Sequence, residues 1–118
     1  MTQKNIATAQ AYYQAIGAKD AASLEKYLHP EVIVTSPMDS LVGKEAVLKA
    51  LKLFMPHVQS ITIRAACGAG DQVMLACDVE YPQPLGILKT AVLMTFKDGL
   101  IFKNEIFFDA RPFEKKSA

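Results

Sequence analysis

From residue 58 onward, apolar and polar residues alternate with period two, interrupted by two glycine-containing turns and a pair of prolines. That period places successive side chains on opposite faces of a strand. It predicts four strands: 58–67, 72–81, 86–97 and 100–110. The first two turn at Gly68-Ala69-Gly70-Asp71 and the last two at Lys97-Asp98-Gly99. Asp-Gly tolerates the positive φ that a tight hairpin needs. Pro82 and Pro84 cannot donate to a ladder, so the link after Tyr81 is a turn or bulge. Half the chain is therefore an antiparallel sheet, and one face of it needs cover.

Parity separates the faces. Val73, Leu75, Cys77, Val79 and Tyr81 point inward on the second strand. Leu88, Thr90, Val92, Met94 and Phe96 do so on the third, and Phe102, Asn104, Ile106, Phe108 and Ala110 on the fourth. The outer face mixes charges with Met74, Leu93 and Phe107, which predicts a partner surface, read as a homodimer interface.

The cover comes from the first half. Residues 3–18 carry Ile6, Ala9, Tyr13 and Ile16 at helical spacing, with Tyr12 beside that stripe. Asp20 is placed to cap a second short helix through its carboxylate, bonding the amide of Ala22 or Ser23. Leu24, Tyr27 and Leu28 form that helix's apolar side. His29-Pro30 ends it. His29 is expected to bond the free carbonyls there. Val32-Ile33-Val34-Thr35 is a strand stopped by Pro37. A third helix spans 44–55 and closes at Pro56. Residues 113–118 read as a frayed tail. The fold class is α+β: a helical first half and a strand-rich, mostly antiparallel second half.

Composition limits the partners. The 118 residues make one domain, with 51% hydrophobic and 21% charged residues. Thirteen basic residues against 12 acidic ones, net +1, exclude a binder held to nucleic acid by charge. No apolar run reaches the roughly 18 residues needed to span a membrane. The first residues lack the pattern of a signal peptide, so a cytoplasmic location is expected. Cys67 and Cys77 lack companion ligands for a zinc site and are expected as buried, reduced, inert thiols.

The order of several motifs resembles the SnoaL-like branch of the nuclear transport factor 2-like superfamily. They are Tyr12-Tyr13-x-Ala15-Ile16-x-Ala18-Lys19-Asp20, the run His29 to Pro37, Gly43-Lys44-Glu45-Ala46-Val47, the Tyr81 to Gly86 crossing, Phe96-Lys97-Asp98-Gly99-Leu100-Ile101 and Asp109-Ala110-Arg111-Pro112. The resemblance spans residues 5–113. It implies three N-terminal helices packed on the concave face of a strongly curved, mostly antiparallel sheet, a cone-shaped pocket between them for a small, mainly apolar molecule, and a convex face that often dimerises. Members include isomerases, cyclases, hydrolases, dehydratases and non-catalytic binders.

Ketosteroid isomerase of this superfamily uses a carboxylate base, an oxyanion tyrosine and a protonated aspartic acid. Carried over by motif, the tyrosine falls on Tyr12, the base on Ser36 and the acid on Val92. One part of three is kept, so that mechanism is not expected. The inner face otherwise offers Tyr12, Ser36, Cys77, Tyr81, Thr90 and Asn104, which orient a ligand better than they move protons. Asp39 and His57 at the rim are the candidate bases, with Tyr12 as donor. Ligand contacts are expected from Ser36, Met38, Phe54, Met55 and Val79. Others are expected from Tyr81, Val92, Met94, Asn104, Ile106 and Phe108. Asp78 and Glu80 are expected to pair across strands with Lys89. Epoxide hydrolases of this fold use an Asp–Arg–Asp arrangement, but Asp109 with Arg111 reads as a structural pair. No phosphate loop, metal cluster or nucleophile elbow is present, so no metal and no cofactor are implied. Three functions stay open: a cofactor-independent acid–base enzyme, a non-catalytic ligand binder, and a dimeric interaction module with a filled cone.

Overall fold

The computed structural model describes residues 2–114. The long helix α1 (Thr2–Gly17) buries Ala9, Tyr12, Tyr13 and Ile16 against the sheet. Lys19, at φ 62°, ends its last turn. Gly17 lets the helix approach the sheet closely, since a Cβ there would sit 3.4 Å from the Ile61 Cβ.

The expected second helix is two short 3-10 turns, Ala21–Ser23 and Glu25–Tyr27. Asp20 does not cap with its carboxylate. Instead it accepts a bond from the Ser23 hydroxyl at 2.6 Å. The chain then runs straight into β1 (Leu28–Thr35), so His29 lies in a strand and not at a helix end. Its Nδ1 accepts from the Glu31 amide at 3.0 Å, and its ring stands edge-on to Phe102. A short strand β2 (Ser40–Val42), too brief to show a period, precedes α2 (Lys44–Phe54). Met55–His57 continues as one 3-10 turn.

Four further strands follow: β3 (Ser60–Ala69), β4 (Gln72–Glu80), β5 (Ile87–Lys97) and β6 (Leu100–Phe107). The sheet order is β2-β1-β6-β5-β4-β3, with only β1 and β6 parallel. Asp98 (φ 54°) and Gly99 (φ 78°) form the two-residue hairpin turn that the sequence announces. β6 stops at Phe107, short of the expected 110. The described residues end in a single turn, α3 (Arg111–Glu114), which includes Phe113, expected as frayed tail. The remaining expected tail, 115–118, lies outside the described residues.

Bulges bend the sheet and change its parity. In β3, Ile63 pairs with Cys77 and Ala65 with Ala76, leaving Arg64 unpaired in the ladder. Beyond it every side chain changes face. Cys67, expected inside, is therefore exposed opposite Met74, while Cys77 stays buried; both are free thiols. In β6, Thr95 pairs with Lys103 but Phe96 with Ile101, so Phe102 is the extra residue. Ile101 takes the inner position, fully buried, and Phe102 is turned out beneath Lys97 and His29. β1 also loses register against β6 between Leu28 and Ile33, beside the same bulge. The shared distortion gives the sheet its curvature.

Outer charges do not pair with Lys89 as expected. Asp78 meets Arg64 at 3.6 Å, and Glu80 accepts from the Ser60 hydroxyl at 3.1 Å. The bulge brings the Arg64 guanidinium to Asp78.

Candidate functional site

The closed end of the cone is solid. Val73, Val92, Met94 and Ile101 are fully buried there, with Leu75 and Phe96 close to it. The other end encloses a cavity of about 560 Å³. α1 supplies Tyr12, Tyr13 and Ile16, and α2 supplies Val47, Ala50, Leu51 and Phe54. β4, β5 and β6 contribute Val79, Leu88, Thr90, Asn104 and Ile106. The crossing from Tyr81 to Leu85 and the terminal Phe108 and Phe113 complete the wall.

Fourteen residues were singled out from sequence, and the structure brings eleven of them to this cavity: Tyr12, Ser36, Met38, Asp39, Phe54, His57, Val79, Tyr81, Asn104, Ile106 and Phe108. Met55, Val92 and Met94 are packed into the core and are not part of the wall. Apolar residues of similar size fill both places, so their type alone cannot separate lining from core.

Depth separates the polar groups. Asp39 and His57 are exposed at the mouth. Asp39 sits in the tight turn between β1 and β2, where the Ser36 amide donates to its carbonyl at 2.9 Å. The Ser36 hydroxyl accepts from the amides of Met38 (3.2 Å) and Asp39 (3.3 Å). Ser36 is thus engaged in holding the turn.

The interior holds a neutral pair. The Asn104 side-chain amide donates to the Tyr13 phenol at 2.8 Å, across buried surroundings. Asn104 Oδ1 is buried and has no partner. Because Tyr13 accepts this bond, its own O–H remains to be donated. Tyr12 packs edge-on against Tyr13 at 5.2 Å. Burial raises both phenols well above the ordinary tyrosine range, with the neighbouring ring adding to the effect on Tyr12. Tyr81 is pushed up to about 12 by burial. The Cys77 thiol is pushed up to about 11, by burial first and the Asp78 charge second. All four groups are neutral at physiological pH.

Sequence reasoning placed Tyr13 among the core residues and preferred Tyr12. Adjacent tyrosines on one helix both face the sheet, and only the register of Asn104 shows which one is bonded. Phe113, Leu85 and Gln83 were also missed, because the strand pattern stops before them.

The Asp109–Arg111 pair does form. Arg111 donates from Nε at 2.9 and 3.1 Å and from Nη2 at 2.6 Å. These bonds and the Arg111 charge hold the Asp109 carboxyl down to about 2. Among the described residues no three His, Cys, Asp or Glu side chains are grouped to hold a metal ion, and no helix is long and apolar enough to cross a membrane.

Residues 9–104 match the profile of the SnoaL-like domain. No curated protein matches the chain. Among solved structures, a protein from Kribbella flavida DSM 17836 superposes with a TM-score of 0.86 at 24% identity, covering 93% of this chain and 90% of that one. A de novo designed protein with a curved β-sheet gives 0.85 at 18% identity, covering 96% and 90%. An LEH-like epoxide hydrolase from M. tuberculosis gives 0.80 at 15% identity, covering 92% and 85%. A designed protein and an enzyme share this backbone, so the likeness speaks for the fold alone.

Proposed function

The chain belongs to the SnoaL-like domain family, and from that premise we propose that it binds a small, neutral, mainly apolar molecule in the open end of its cone. The supporting observation is the division of polar groups in the cavity. The Tyr13–Asn104 pair lies inside, and Asp39 and His57 lie exposed at the mouth. A carboxylate or ammonium drawn into such a site loses its hydration and gains no opposite charge. A carbonyl or hydroxyl oxygen gains the Tyr13 O–H. The Asn104 bond to the Tyr13 oxygen strengthens that donor.

Volume bounds the ligand. A cavity of roughly 150 Å³ holds a benzene ring, so one of about 560 Å³ takes on the order of 20 non-hydrogen atoms. A cavity of about 560 Å³ supports the open cone over the filled-cone alternative.

The test is thermal unfolding at fixed protein concentration with matched pairs, such as a naphthol against a naphthoate. A ligand at about 100 times its Kd adds roughly 2.7 kcal/mol, or on the order of 10 °C for a domain of this size. The neutral partner should shift the transition and the anion should not. Equal shifts, or none with any compound, count against the reading.

A second reading, a cofactor-independent acid–base enzyme, is favoured by Asp39 and His57 both reaching the cavity wall. One of them would take a proton while Tyr12 or Tyr13 donates one. Asp39→Ala and His57→Ala separate the readings: affinity unchanged in both supports a binder, and lost turnover in either supports the enzyme.

The reading extends to a cytoplasmic homodimer. Met74 and Phe107 leave about half of their surface exposed on the convex face, beside Leu93. The two unpaired thiols suit a reducing compartment.

A further inference from the structure

Several sections of the cavity wall lie outside the long helices and the strands, and one of them follows the last strand. Most lining side chains stand on β-strands or on α1 and α2, fastened by ladders or helical bonds. Phe108 and Phe113 stand on the segment that follows β6, beyond the last residue of the family match at 104. Several local bonds shape this segment. The Phe113 amide donates to the Ala110 carbonyl at 2.9 Å. The Arg111 amide donates to Asp109 Oδ1 at 3.0 Å, and the Arg111 guanidinium grips both oxygens of the same carboxylate. The segment is folded on itself by an ionic clasp at the surface.

Aromatic packing attaches it to the body. The Phe113 ring lies 6.1 Å from Tyr81 and 5.7 Å from Phe108, edge to face in both cases. Tyr81 in turn meets Phe54 of α2 at 6.2 Å. Phe54, Tyr81, Phe108 and Phe113 all line the cavity, and the exposed Pro82, Gln83 and Pro84 lie beside Tyr81. A ring held by edge contacts can swing without breaking a backbone ladder, which suits a moving part.

We propose that residues 108–113 are a gate: Phe113, carried on the turn clasped by Asp109 and Arg111, closes the cavity and sets the rate at which ligands pass in and out. The proposal rests on the cavity being a ligand site. It assigns the clasp the task of keeping the turn preformed, so that the ring reseats quickly. Arg111 already satisfies the Asp109 carboxylate, so that pair is left with a supporting function and no part in binding.

Stopped-flow fluorescence with N-phenyl-1-naphthylamine, a neutral apolar fluorophore, tests it on the intact chain. A gate changes both directions of passage. Phe113→Ala should raise association and dissociation rates together by about tenfold, leaving Kd within about threefold. Asp109→Asn leaves the aromatic wall intact and should raise both rates by about two- to threefold. Because Asp109 is exposed, that variant remains informative if Phe113→Ala does not fold. A fluorophore that enters the variants but not the wild type would also support a gate. Faster dissociation with unchanged association would make Phe113 a wall contact and overturn the proposal. Unchanged rates in both variants would do the same. No binding to the wild type or to either variant would overturn the ligand-site reading itself.

Discussion

Along β4 and β5 the inner face changes use halfway. From Val73 to Leu75, and from Val92 to Phe96, its side chains are sealed in core. From Val79 to Tyr81, and from Leu88 to Thr90, the same alternation forms the wall of a cavity. Valines and leucines occupy both halves. Alternation specifies which face is inside and carries no information about whether the inside is filled.

Truncation measures the difference. Met94→Ala, at the solid end, should cost about 2–5 kcal/mol, read as a lowered denaturation midpoint. Leu88→Ala, beside existing space, should cost about 1 kcal/mol or less, since few contacts are lost. Equal costs would mean that the two ends are packed alike, and the comparison would break.

Polar substitution sharpens it. Asn104→Leu removes the bond to Tyr13 together with an unpartnered oxygen, so stability should change by no more than about 1 kcal/mol. Affinity for a neutral ligand should fall by about tenfold, as the Tyr13 hydroxyl loses its support. The two effects are separated by denaturation and by fluorophore titration.

Alkaline titration reports on both ends together. Cys77 ionises near 9 when unfolded and near 11 when folded, and Tyr81 near 10 and near 12. The unfolded chain therefore sheds protons first. Stability from these groups is complete below about pH 9 and is lost as pH rises through 12. Tyr12 and Tyr13, also raised, extend the loss in the same direction. Denaturation midpoints should be level from about pH 6 to 8 and decline steadily above pH 9. A midpoint that rises in that range would contradict the neutral interior.

The smallest effect belongs to the convex face. Phe107→Ser should alter the stability of a monomer by about 0.5 kcal/mol or less. If two copies meet on this face, light scattering should show the dimer lost.

What was legible in the sequence was facing and order. Asp98-Gly99 fixed one hairpin, and parity put Val79, Thr90, Asn104 and Ile106 on the inner side. Single extra residues carried no signal. Arg64 and Phe102 are ordinary strand residues, and each bulge is set by its neighbouring strands, so Cys67 and Phe102 fell on the wrong faces. Asn104 was placed correctly because the β6 bulge lies before it. The site was legible to the same depth: its polar members could be named, but Met55, Val92 and Met94 could not be told from wall, nor Tyr12 from Tyr13. Phe113 adjoins the charged run Glu114-Lys115-Lys116, which reads as a tail.

The parallel seam between β1 and β6 joins residues near the beginning of the chain to residues near its end. During synthesis β1 must wait for β6, whose Asn104 lies 70 residues after its partner Val34, before the long-range pairing can form. Until then β1, β2 and α2 have no sheet to join, and the cavity has only part of its wall. Contacts so distant in sequence close late and slow the search. The hairpins of β3 to β6 can form locally and early, and the cavity should be the last part of the molecule to come into being.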